Sequence, residues 1–206
     1  MLLTTIQHPA AVMRGQWELA QPQVAYLRRI TKNPGRRPLD ITQPPPRTIL
    51  YPSLTELKEL HRQATVLGWI ALDLETCGDH IICLGLTAFQ LEGTEIGDTL
   101  CLRFRLRGGV LAWKPRELTA IVEELYSLLT NSLVGKVFHN GLGFDLKILE
   151  INGFKIGGPV VDTMALWHTA YTELPLRLQY LATLFLGMPV WKTLTDADED
   201  EKEDLT

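Results

Sequence analysis

Two carboxylates, Asp73 and Glu75, stand two residues apart in the run Trp69-Ile-Ala-Leu-Asp-Leu-Glu75. On a strand, that spacing puts both side chains on one face, and Ile70, Leu72 and Leu74 mark the strand as interior. Two like charges on one face of a buried strand are costly unless a cation or a proton offsets them. Mg²⁺ and Mn²⁺ suit carboxylate oxygens, and one carboxylate can bridge two such ions about 3.5–4 Å apart, the spacing used for in-line phosphoryl displacement. The same Asp-x-Glu also fits a strand end at the sheet rim, with both carboxylates in water.

A second cluster, His139-Asn140-Gly141-Leu142-Gly143-Phe144-Asp145, follows one predicted strand and opens one predicted helix. Asp145 falls in the first helical turn beside a glycine-rich bend whose exposed N–H groups can approach a nucleotide. An acidic residue there also complements the helix dipole, and Asn140-Gly141 also reads as a plain turn.

The elements that must position these groups follow from periodicity and punctuation. Ser53 and Glu56 stand in the capping-box relation ahead of Leu54, Leu57, Leu60 and Ala64, predicting a helix over 53–66. The buried strand from Trp69 to Glu75 is followed by strands over Ile81–Phe89 and Thr99–Leu106. Short turn-rich segments between them predict an antiparallel meander. Pro115 starts a helix to about Asn131, Val134–Phe138 is a fourth strand, and Phe144–Asn152 a helix closed by Gly153. Val160-Val161 is a brief fifth strand, followed by helices over 162–171 and 175–186, with Gly187 ending the second. Antiparallel meander plus parallel strands, with helices on the faces, is an α/β, ribonuclease-H-like mixed sheet.

The chain has 206 residues, 46% of them hydrophobic, with a formal net charge of −4. That excludes an unstructured tail and gives one core rather than two. Charge is uneven: residues 1–52 carry +5, 53–195 carry −3 and 196–206 carry −6. The basic block is compatible with a polyanion and equally with a solvated arm. Prolines crowd residues 33–52, which read as a linker unable to sustain helix or sheet. Cys77, Cys83 and Cys101 have the count and spacing of neither a disulfide framework nor a zinc site. No apolar run spans a bilayer, so the expectation is a protein of the reducing cytoplasm with no membrane partner.

Asp73-Leu-Glu75-Thr76 and Asn140-x-x-x-Phe144-Asp145, each on the required element, resemble the first two motifs of the DEDD superfamily of 3′–5′ exonucleases. Asp162-Thr-Met, Leu178-x-x-Leu181-Ala182 and Leu186-Gly187 are similar to the proofreading domain of family A DNA polymerases, so the resemblance covers about 54–192. It implies that Asp73, Glu75 and Asp145 are catalytic metal ligands for two Mg²⁺ or Mn²⁺ ions, with Asp73 shared between them. It implies equally that Thr76, Asn140 and Phe144 bind the terminal nucleotide.

The family's third motif, Tyr-x-x-x-Asp or His-x-x-x-x-Asp, has no counterpart after Asp145, and the acidic residues at 196–204 lack the required Tyr or His. Asp162, at a strand-to-helix junction, reads as an N-cap instead. A chain stopping before its third motif is expected. Gln7-His8-Pro9-Ala10-Ala11-Val12-Met13-Arg14 resembles a C-terminal motif of family 4 uracil-DNA glycosylases. The organisation expected is a glycosylase remnant over 1–32, the linker over 33–52, an exonuclease domain over 53–195 and an acidic tail over 196–206. The activity expected is release of nucleoside monophosphates from single-stranded DNA 3′ ends, in a phage-like replication or repair protein with a polymerase domain downstream. A silent nucleic-acid-binding or docking domain, and an RNA-trimming exonuclease on the same scaffold, are the alternatives.

Overall fold

The computed structural model describes residues 47–92, 95–106 and 109–186. The glycosylase-like segment, most of the basic arm, Gly187 and the acidic run lie outside the described residues. Those described belong to two compact units, 47–166 and 167–186.

In the first unit, strands β1 (Thr48–Ile49), β2 (Gly68–Cys77), β3 (His80–Gln90), β4 (Ile96–Arg103), β5 (Gly135–Phe138) and β6 (Val160–Asp162) form one sheet in the order β1-β4-β3-β2-β5-β6. β3 runs antiparallel to β2 and β4, while β2, β5 and β6 are mutually parallel and β1 is parallel to β4. From β4 to β6 the meander comes first and the parallel strands follow, the ribonuclease-H-like mixed sheet expected from the sequence.

Helix α1 (Leu54–Leu67) begins at the capping box: Ser53 Oγ accepts from the Glu56 N–H, and Glu56 accepts from the Ser53 N–H at 2.7 Å. It ends at Gly68, whose φ of +89° is a left-handed conformation that suits a residue without Cβ. Leu57, Leu60 and Ala64 of α1 and Ile121, Leu125, Leu128 and Leu129 of α2 (Pro115–Thr130) are buried. They share one core with Ile70, Leu72, Leu74, Leu84, Leu86, Ala88, Leu100 and Leu102 of the sheet.

Three expectations need correction. β2 is central in the sheet, but only the face of Ile70, Leu72 and Leu74 is buried; Asp73 and Glu75 on the other face are exposed. The stretch read as linker ends in a strand, because Thr48 and Ile49 pair with Thr99 and Leu100. An edge position asks for donors on one side only, which tolerates nearby prolines. β4 starts at Ile96 rather than Thr99, its entry held by the Asp98 N–H donating to Gln63 Oε1 at 2.8 Å, and it stops at Arg103.

Shorter helices follow: α3 (Asp145–Ile151) in the first unit, and α4 (Thr163–Ala170), whose residues fall in both units. In the second unit, Trp167 packs with Tyr180 and Leu181 of α5 (Leu178–Leu186), and its indole N–H donates to the Pro175 carbonyl at 3.0 Å. No helix among the described residues is long and apolar enough to cross a membrane.

Candidate active site

Asp145 is the first residue of α3 and is only 4% exposed. β5 pairs with β2 no further than Ala71↔Val137, so beyond it the β2 edge needs other acceptors. There the Leu74 N–H donates to Asp145 Oδ1 at 3.2 Å. That bond seats Asp145 beside the peptide that follows Asp73. Burial, then the charge of Asp73, push the Asp145 carboxyl up to about 6, against the pull of two backbone N–H groups.

Glu75 lies two residues along on the Asp73 face, opposite Cys83 and next to a β-bulge at which the register shifts between Glu75 and Thr76. Bulges of this kind re-aim side chains beside functional sites. Burial, helped by the contact with Cys101 at 3.0 Å, raises the Cys83 thiol to about 12, so it stays neutral beside the acids. Asp73 lies close enough to Asp145 for its charge to act on that carboxyl, and among the described residues no group of three His, Cys, Asp or Glu side chains gathers around one point.

Two carboxylates, one buried and one exposed, fit Mg²⁺ or Mn²⁺ of the kind bound through one or two carboxylates, retained waters and substrate phosphates. The Asp73 charge disfavours ionisation of Asp145, a cost that either a bound cation or a proton relieves.

The turn from His139 to Phe144 departs from the expectation of N–H groups left open for a nucleotide. The Asn140 and Leu142 N–H groups donate to Asp162, each at 3.0 Å, and those of Gly143 and Phe144 donate to the Asn140 carbonyl. Asn140 adopts a φ of +71°, in the left-handed region that Asn tolerates better than most residues. Gly141 is buried under Phe138, where a methyl group would overlap the Phe138 Cβ. Gly141→Ala should therefore cost about 1–3 kcal/mol in urea unfolding, and wild-type stability would contradict this packing. Phe144, just before α3, is 39% exposed; Asn140 and Thr76 are half-buried.

Asp162 caps α4 as expected: the Met164 and Ala165 N–H groups donate to Oδ1 at 2.9 and 3.3 Å. Its hold on the turn is not foreseen by the sequence reading, although Asp162-Thr163 at a strand end, next to the strand that feeds the turn, is the available signal. Burial pushes its carboxyl up, but the N–H bonds from Leu142, Asn140, Ala165 and Met164 together hold it below the usual range.

No family profile and no curated protein sequence matches the chain. Solved structures do. RNase D of Escherichia coli, an exoribonuclease involved in structured RNA processing, is 18% identical with a TM-score of 0.46, over 77% of this chain and 41% of its own. The chain thus spans less than half of RNase D. The Nibbler EXO domain of Aedes aegypti is 15% identical with a TM-score of 0.47, over 74% of this chain and 72% of its own. NrnC of Brucella melitensis, bound to pGG, is 19% identical with a TM-score of 0.45, over 78% and 76%. These are resemblances of outline, and the functional reading rests on this chain's own residues.

Proposed function

We propose that this chain is a divalent-metal-dependent 3′–5′ exonuclease domain of the proofreading type, releasing nucleoside monophosphates from DNA 3′ ends as a module of a larger polymerase. The observation that carries the reading is the seat of Asp145: a buried carboxylate fixed by the Leu74 N–H beside Asp73, at the end of the Asn140–Phe144 turn. Asp73, Glu75 and Asp145 would hold two Mg²⁺ or Mn²⁺ ions, which would supply an activated water and stabilise the leaving 3′ oxygen. Asn140, Phe144 and Thr76 would hold the terminal nucleotide, the exposed Phe144 ring offering a surface for its base.

The lack of a converged three-ligand group among the described residues favours a second reading, a silent domain that binds 3′ ends without cutting. A 5′-labelled single-stranded oligonucleotide separates the two. Stepwise shortening in Mg²⁺ or Mn²⁺, abolished by chelation and blocked by a 3′-terminal phosphorothioate, supports the nuclease. Binding without shortening supports the silent domain, and DNA and RNA oligonucleotides run side by side set the sugar preference.

A further inference from the structure

We propose that Asp162 is a positioning residue for this site: its two carboxylate oxygens clamp the His139–Phe144 turn to the start of α4 and so hold Asp145 beside Asp73. The inference rests on the nuclease reading for what the held residues do, but its structural part stands on hydrogen bonds alone. Asp162 is 7% exposed and receives four backbone N–H groups. Oδ1 takes those of Asn140, Met164 and Ala165; Oδ2 takes that of Leu142.

Capping α4 needs one oxygen, a task that serine performs well. The second oxygen and the Asn140 bond serve the turn instead. From Asn140 the dependence runs directly to the site, because its carbonyl accepts the N–H groups of Gly143 and Phe144, and Phe144 is the residue before Asp145. The clamp thereby fixes Asn140 in its left-handed conformation.

Thr163 reinforces the clamp from the next position. Its hydroxyl donates to the Phe138 carbonyl at 3.0 Å and lies 2.9 Å from His139 Nδ1. Three N–H donors converge on Oδ1 and one on Oδ2, so Asp162 acts on the site through the backbone it holds.

Two substitutions separate the cap from the clamp. Asp162→Ser keeps a capping oxygen but is too short to reach Asn140 and Leu142. Asp162→Asn keeps the Oδ1 bonds and turns an NH₂ group toward the Leu142 N–H, cutting one tie only. Three measurements on the full chain then apply: Mn²⁺ binding with no nucleic acid present, amide hydrogen exchange, and mononucleotide release.

Asp162→Ser should weaken Mn²⁺ binding about 10–100-fold, the range typical of groups that orient metal ligands, with Asp162→Asn between it and wild type. Exchange at the Asn140 and Leu142 amides should rise at least about tenfold while β2 and β3 amides keep their protection. Turnover should fall with Mn²⁺ affinity, and KM for the oligonucleotide should rise as they fall, because Asn140 and Phe144 sit on the released turn. Wild-type Mn²⁺ affinity in both variants would overturn the proposal. So would protection lost equally across β2 and β3, or failure of both variants to fold, since Asp162 would then support the whole fold rather than the site. A wild-type chain that binds Mn²⁺ but releases no mononucleotide overturns the nuclease reading instead, and the exchange and Mn²⁺ results still decide the clamp.

Discussion

Asp145→Asn should lower mononucleotide release by at least about a thousandfold while raising the melting temperature of the metal-free chain at pH 8. The first effect follows because groups acting as a unit lose most of their rate when one member is removed. The second follows from the pKa: the folded carboxyl titrates at about 6 against 3.8 for the free side chain. Between those values the unfolded chain has released its proton and the folded chain has not. Stability therefore falls as pH rises from about 4 to 6, and the penalty persists above that.

Asparagine keeps an oxygen for the Leu74 N–H while removing the charge that burial and Asp73 oppose. The gain should reach up to about 3 kcal/mol at pH 8 and vanish below pH 4. Mg²⁺ should narrow it at pH 8, because a ligand bound only by folded wild type stabilises that chain. Melting curves over pH 3.5–8.5, with and without Mg²⁺, make the check. A stability difference that does not change with pH would refute the electrostatic account of Asp145.

Lys136→Met should destabilise the fold by about 3–5 kcal/mol, because three carbonyls lose a shared donor at about 1–3 kcal/mol each while the cost of burying the ammonium is relieved. Lys136 is fully buried in β5, and its ammonium donates to the carbonyls of Asn131, Val134 and Gly157 at 2.7, 2.8 and 2.8 Å. Asn131 ends α2, and Gly157 precedes β6, so one side chain joins three segments. Methionine fills the volume and leaves all three carbonyls without that donor.

Burial lowers the Lys136 pKa to about 8 from 10.5. The folded chain then holds fewer protons than the unfolded one between those values, so this group's contribution to stability falls as pH drops from 10.5 to 8 and is constant below that. The ammonium form that the three carbonyls hold is the one present at neutral pH, where the drop in melting temperature for Lys136→Met should be on the order of 10 °C. A variant within about 1 kcal/mol of wild type would show that the three carbonyls find other donors.

Features encoded by neighbours in the chain are legible in the amino-acid order alone. The capping box at Ser53 and Glu56 and the alternation of Ile70, Leu72 and Leu74 with Asp73 and Glu75 are local patterns, and both elements form where expected. What depends on distant partners is not legible. The bond from Leu74 to Asp145 joins residues 71 positions apart, and nothing near Asp145 announces it. Lys136 sits in a strand of four residues, too short for alternation to tell inside from outside, and a lysine there counts as exposed until its three carbonyls are located. The short β1 is hidden by proline density, which weighs against a strand but not against an edge pair fed by Thr99 and Leu100. The bend N–H groups suggest a ligand only because their acceptor, Asp162, lies about 20 residues downstream on another strand.

The two faces of β2 also constrain which errors the chain can survive. Its leucines and its acids belong to one ribbon with a period of two, so a single-residue insertion or deletion within Ile70–Glu75 exchanges the faces. Carboxylates would enter the hydrocarbon layer beneath α1 and α2, and leucines would take the place of the acids. A slipped strand of this kind cannot persist as a folded protein with a defective site; it loses the core in the same step. Mispaired register is thereby converted from a silent catalytic fault into an unfolded chain, which quality control removes.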